Sequence, residues 1–182
     1  MGVLPSDDYE RIRSALRDAA RSAWSDLRAA RPDETFYYFG LATTPQSHRP
    51  APTASSREGL DRTIAGYREQ LVELLHDEVR WSDLESPYAL YGDAHFHAVD
   101  GLFDALGDPF DRAEDVNATL REAMVEALQE LDAEGFFGEG AARDTVVVDV
   151  TVRDGATTLA GLASAGRLNP AAALQGYGRA AG

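Results

Sequence analysis

The chain has 182 residues, enough for one ordinary domain with its own core, and its 44% hydrophobic and 26% charged residues place it among globular sequences. It carries no Cys and no Lys, so all 17 basic residues are Arg. That excludes disulfides, Cys-ligated zinc, thiol nucleophiles, Schiff-base chemistry and the lysine-bearing phosphate loop of NTPases. A net charge of -14 disfavours nucleic acid and anionic membranes as partners.

No apolar run approaches the roughly 18 residues of a bilayer span, and residues 1–6 lack a basic region followed by an apolar run, so the expected location is the cytoplasm. Asp7 and Glu10 have the spacing of a capping box, and Ile12, Leu16, Ala20, Trp24 and Leu27 recur at helical spacing, predicting a first helix over residues 8–30. Arg31-Pro32-Asp33 breaks it. Residues 35–43 are aromatic on both alternating faces, which predicts a central strand covered on both sides. Pro45, Pro50 and Pro52 predict an extended loop, ended by a second capping box at Ser55 and Glu58. Leu60, Ile64, Tyr67, Leu71 and Leu75 then carry a helix to about Asp77, and Val79-Arg80-Trp81 is expected to form a short strand with Trp81 packed inward.

From Asp93, the apolar set Phe96, Val99, Phe103 and Leu106 defines one helical face, opposite Asp93, His97, Asp100 and Asp104. A fourth helix beginning near Asp111 uses Val116, Leu120, Met124, Ala127 and Leu131 for its core, with Gly135 as its C-terminal cap. Residues 145–153 predict a strand nearer the sheet edge, and residues 159–165 a short helix. The stretch from about residue 170 to 182 is a tail expected to fray. With no repeat and no second core, residues 1–182 are expected to form a single α+β domain, a mostly antiparallel sheet with amphipathic helices packed on it.

The charge is unevenly spread. Residues 81–140 carry 15 acids and 2 Arg, so nearly all the excess negative charge falls there. Glu122, Glu126 and Glu130 form an i, i+4 stripe that repels itself when considered alone, and with Asp100 and Asp104 they are the residues expected to meet a basic protein partner. The alternative function is a metal-dependent hydrolase centred on His95 and His97, with Asp93 and Asp100 sharing the face of His97; a structural protein with no dedicated ligand is a third possibility. Three groups on an open polar face make a poor metal site, so the expectation is a non-enzymatic protein with no metal and no cofactor. Ser164 has its first glycine three residues before it instead of two, unlike a hydrolase nucleophile elbow, and Gly138-Glu139-Gly140 follows a helix and not a strand, unlike a dinucleotide loop.

Thr35-Phe36-Tyr37-Tyr38-Phe39-Gly40-Leu41-Ala42-Thr43-Thr44, Arg80-Trp81-Ser82, Leu131-Asp132-Ala133-Glu134-Gly135-Phe136-Phe137-Gly138 and Ser164-Ala165-Gly166-Arg167-Leu168-Asn169-Pro170 together give the chain its character. In that order they resemble an uncharacterised bacterial domain-of-unknown-function family of small stand-alone proteins, some suspected of acting as immunity partners of polymorphic toxins. The resemblance implies an α+β fold and a toxin as the basic partner, and it supplies no catalytic residues. After Arg80-Trp81-Ser82 the chain departs from the pattern, with Asp83-Leu84-Glu85-Ser86 where a Pro and a second Trp usually follow.

Overall fold

The computed structural model describes residues 4–69, 79–153, 159–175 and 177. Among the described residues the elements in chain order are α1 Ser6–Ala30, β1 Phe36–Thr43, β2 Ala51–Ser56, α2 Arg57–Glu69, α3 His97–Asp104, α4 Glu114–Ala133, β3 Val147–Val152 and α5 Leu159–Leu168. Short 3-10 helices, Asp93–Phe96 and Gly140–Thr145, lead into α3 and β3. The strands form one sheet in the order β2-β1-β3, with β1 antiparallel to β2 and parallel to β3. The α+β class is as expected; the sheet is mixed instead of mostly antiparallel. The long connection carrying α2, α3 and α4 crosses over and brings the chain back in the direction of β1, as a parallel pair requires.

β2, expected as loop, is an edge strand despite Pro52. The Pro52 carbonyl accepts the Leu90 N–H at 2.8 Å on the side away from β1. In a strand the N–H and C=O of one residue point the same way, so the proline's missing donor costs no bond to β1. At the opposite edge, the Asn169 side chain imitates a further strand: its Nδ2 donates to the Val148 carbonyl at 2.6 Å and its Oδ1 accepts the Val148 N–H at 2.7 Å. Edge groups satisfied in this way are closed to a further chain.

The predicted faces of α1, α3 and α4 are the buried ones. Ile12, Leu16, Ala20, Trp24 and Leu27 of α1 meet Leu120, Met124, Ala127 and Leu131 of α4 over the sheet face formed by Phe39, Leu41, Val148 and Val150. Phe96, Val99 and Phe103 close the same core, each large apolar side chain contributing about 1.5–3 kcal/mol relative to exposure. On the other sheet face Tyr37, Tyr38, Leu60, Val79 and Val147 form a smaller cluster, joined by Trp81 and Tyr177.

Local signals were displaced in several places. α1 begins at Ser6 behind Pro5 with no side-chain cap, so the Asp7 and Glu10 box does not form. α2 is capped one residue later than expected, by Ser56, whose Oγ accepts the Gly59 N–H at 2.9 Å; Glu58 accepts the Thr35 N–H at 2.7 Å. The expected continuation of α2 through Leu71 and Leu75 lies outside the described residues. Val79 and Arg80 are helical and Trp81 sits in a turn, so there is no strand there; Trp81 packs edge-on against Tyr37 at 5.4 Å. α4 starts at Glu114, because Asp108 to Asp111 are taken up in a turn. It ends as expected at Gly135, whose φ of 75° lets the Phe136 N–H return to the Leu131 carbonyl at 3.0 Å. Of the stretch expected to fray, residues 171–175 form turns, and Tyr177 reaches Asp149.

Candidate functional site

The acidic stripe of α4 is met by arginines from outside its own segment. Glu126 accepts from Arg13 Nη1 at 3.1 Å, Glu130 from Arg17 Nη1 at 3.1 Å, and Glu134 pairs with Arg21. The partners advance together by four residues, so α1 and α4 run in the same direction and zip along one seam. Glu122 is held bidentate by Arg167 of α5, at 2.7 and 2.5 Å, which keeps its carboxyl below the ordinary range. Asp104 meets Arg49 at 2.6 Å. Of the five residues expected to face a partner, four therefore already have a guanidinium, and the structure does not bring the five together on one open face. Among the described residues, Asp100 alone of the five has no ion pair; its carboxyl is raised by burial and by Asp93 and Asp104, against the lowering effect of Arg49 and His97.

The uncompensated acidity lies instead between Asp93 and Asp115. Among the described residues, Asp93, Asp100, Asp108, Asp111 and Asp115 have no guanidinium within ion-pairing distance. In their midst, on the connection from α3 to α4, Phe110 is 80% exposed. The turn that presents it is well braced. Asp108 Oδ1 accepts the Phe110 N–H at 2.9 Å, and the Asp111 N–H returns to the Asp108 carbonyl at 3.0 Å. Arg112 bridges the Gly107, Ser47 and Phe103 carbonyls at 3.2 to 3.4 Å. Arg121 reaches Ser47 Oγ at 3.1 Å, and Ser47 Oγ donates to the Asn117 carbonyl at 2.6 Å. The β1–β2 loop, α3 and α4 are thereby buttoned together beneath one aromatic side chain. Sequence reasoning missed Phe110, although a signal was present: it is the one bulky apolar residue of Asp108-Pro109-Phe110-Asp111 and belongs to neither neighbouring helix's periodic set.

A second polar cluster lies on the lesser sheet face. Asp149, 2% exposed, accepts from Tyr177 at 2.5 Å and lies 2.8 Å from both Ser164 Oγ and the Val150 N–H. Burial raises its carboxyl above the ordinary range, in spite of those hydrogen bonds. Its oxygens serve the outer edge of β3, as Asn169 does one step away. Ser164 Oγ thus faces a carboxylate and also lies 3.3 Å from the Val150 carbonyl. His95 Nε2 lies 2.8 Å from Asp26 of α1, and His97 is exposed on α3. Among the described residues no three His, Asp or Glu side chains are arranged to hold a metal ion, and no helix is long and apolar enough to cross a membrane.

Residues 16–170 match the family profile described as a domain of unknown function, DUF4303. The chain belongs to this DUF4303 family. No curated protein and no solved structure matches it. In this DUF4303 domain two of the sequence blocks that give the chain its character, residues 35–44 and 131–138, converge in space: Phe39 packs tilted against Phe137 at 5.7 Å, with Trp24 at 5.2 and 5.8 Å from the two.

Proposed function

We propose that this DUF4303 domain is a non-catalytic binding module that engages a basic protein through the turn carrying Phe110. The observation that carries the proposal is an aromatic side chain left 80% exposed on a turn braced from three elements. A rigid aromatic anchor loses little conformational freedom on binding and is the residue type that dominates interface energetics. Among the described residues the aspartates around it have no guanidinium within ion-pairing distance. They favour a cationic surface opposite, raise its association rate, and disfavour nucleic acid. A basic toxin that acts on nucleic acid has the required chemistry, and an acidic module covering its active surface would neutralise it. Asp100 and Asp104 stay within this surface as its rim, whereas Glu122, Glu126 and Glu130 act in the fold.

The test starts with photo-crosslinking from position 110 in the native host, followed by purification of the captured protein and kinetics against wild type, Phe110→Ala and the pair Asp108→Asn with Asp111→Asn. Phe110→Ala should speed dissociation by about tenfold or more. The Asn pair should slow association and flatten its salt dependence. A captured partner that is acidic, or kinetics unmoved by either change, overturns the proposal.

A further inference from the structure

At the C-terminal end of α1, away from Phe110, the Arg28 guanidinium lies between two aromatic rings, 4.6 Å from the Phe136 centroid and 4.8 Å from that of Phe39. The ring faces attract a cation and hold its plane, but they supply no counter-charge. Nη1 donates to the Phe136 carbonyl at 2.8 Å, and among the described residues no carboxylate lies within ion-pairing distance. Arg13, Arg17, Arg49, Arg143 and Arg167 each meet a carboxylate. Burial lowers the pKa of Arg28, the mark of a cation removed from water without an anion to compensate it. A guanidinium carries five N–H groups, so a single hydrogen bond leaves most of its donors unused.

Arg28 lines an open cleft of about 450 Å³ together with Arg31, Pro32, Phe36, Phe137 and Val146. That volume falls within the roughly 300–1,000 Å³ of small-molecule sites. Two features limit the charge of a guest. Glu34 also lines the cleft, and although burial opposes its ionisation, hydrogen bonds from Ser56, Tyr88 and Arg62 hold its carboxyl below the ordinary range. The negative end of the α1 dipole lies at the same place. Both oppose a dianion, while a planar guanidinium fork matches a single carboxylate.

We propose that this cleft binds a small monocarboxylate with an apolar or aromatic body, its carboxylate taken by the unused N–H groups of Arg28 and its body covered by Phe36, Phe137 and Val146. The experiment titrates the full chain with 3-phenylpropionate, its neutral amide and inorganic phosphate, following the Arg28 Nε–H and the backbone amides of Phe136 and Phe137 by NMR. The acid should give saturable shifts at millimolar concentration or below, with the amide and phosphate at least about tenfold weaker. Arg28→Gln should weaken the acid about tenfold and leave the amide unchanged. Because that change also empties the space between two rings, Ala142→Trp is the second variant. Ala142 is an exposed residue of the cleft wall, and an indole there fills the cleft while leaving Arg28 in place. It should abolish binding. Equal affinity for acid and amide, a preference for phosphate, undiminished binding by the Ala142→Trp protein, or no saturable binding of the acid each overturns the inference.

Discussion

Replacing Glu126 and Glu130 together with Gln removes two carboxylates from the α1–α4 seam. On α4 taken alone the change should help, because like charges four residues apart repel by some tenths of a kcal/mol. The fold reverses the sign. Arg13 and Arg17, with side chains 25% and 29% exposed, face Glu126 and Glu130, at 34% and 32%. Pairs this far from water lie between exposed ones, worth about 0.2–1 kcal/mol, and buried ones, whose disruption costs about 3–5 kcal/mol. The amide oxygen of Gln still accepts a hydrogen bond, and solvent screens part of the charge, so we expect a loss of about 1–2 kcal/mol for the pair of changes. Urea unfolding followed by tryptophan fluorescence reports it, since Trp24 is buried beside the seam at 1% exposure. The loss should shrink in 1 M salt, where the Debye length falls to about 3 Å. A variant as stable as wild type or more so at low salt would show that the ion pairs contribute nothing and that self-repulsion along α4 governs.

Two further predictions concern the lesser sheet face. Burial holds the Asp149 carboxyl above its unfolded value, so the folded state keeps the proton longer than the unfolded chain. Its contribution is therefore complete below the ordinary carboxylate range and is lost as pH rises through the raised value; relative to wild type, Asp149→Asn should gain stability over that interval, and a difference constant with pH in urea melts would refute the assignment. A Cβ on Gly40 would stand 2.5 Å from Tyr38 Oη and 2.9 Å from Cζ, and Tyr38 is 1% exposed and bonded to Thr151 at 3.2 Å. Gly40→Ala should cost about 1–3 kcal/mol of overpacking, and the cost should largely vanish in a Tyr38→Ala background; a cost that persists there would place its cause in the backbone.

The sequence by itself determined α1, α4, the central strand β1 and β3 as helical or extended, and which of their faces are apolar. Ile12 to Leu27, Leu120 to Leu131 and the aromatic run of β1 announce themselves because hydrophobic period is a property of neighbouring residues. Net charge and the missing Cys and Lys likewise bound the chemistry without any fold. Pairing was decided elsewhere. β2 carries no apolar alternation and is a strand only because β1 presents a free edge to it; the direction of β3 depends on the crossover. The acidic stripe of α4 looked bare because its arginines lie 113 residues away in the sequence on α1 and 45 away on α5. Arg28 acquires its aromatic sandwich, and Phe110 its exposure, only when helices, sheet and loops are in place. Contact between residues distant in sequence is set by how apolar faces pack and how buried polar groups find partners, and no local window contains that information.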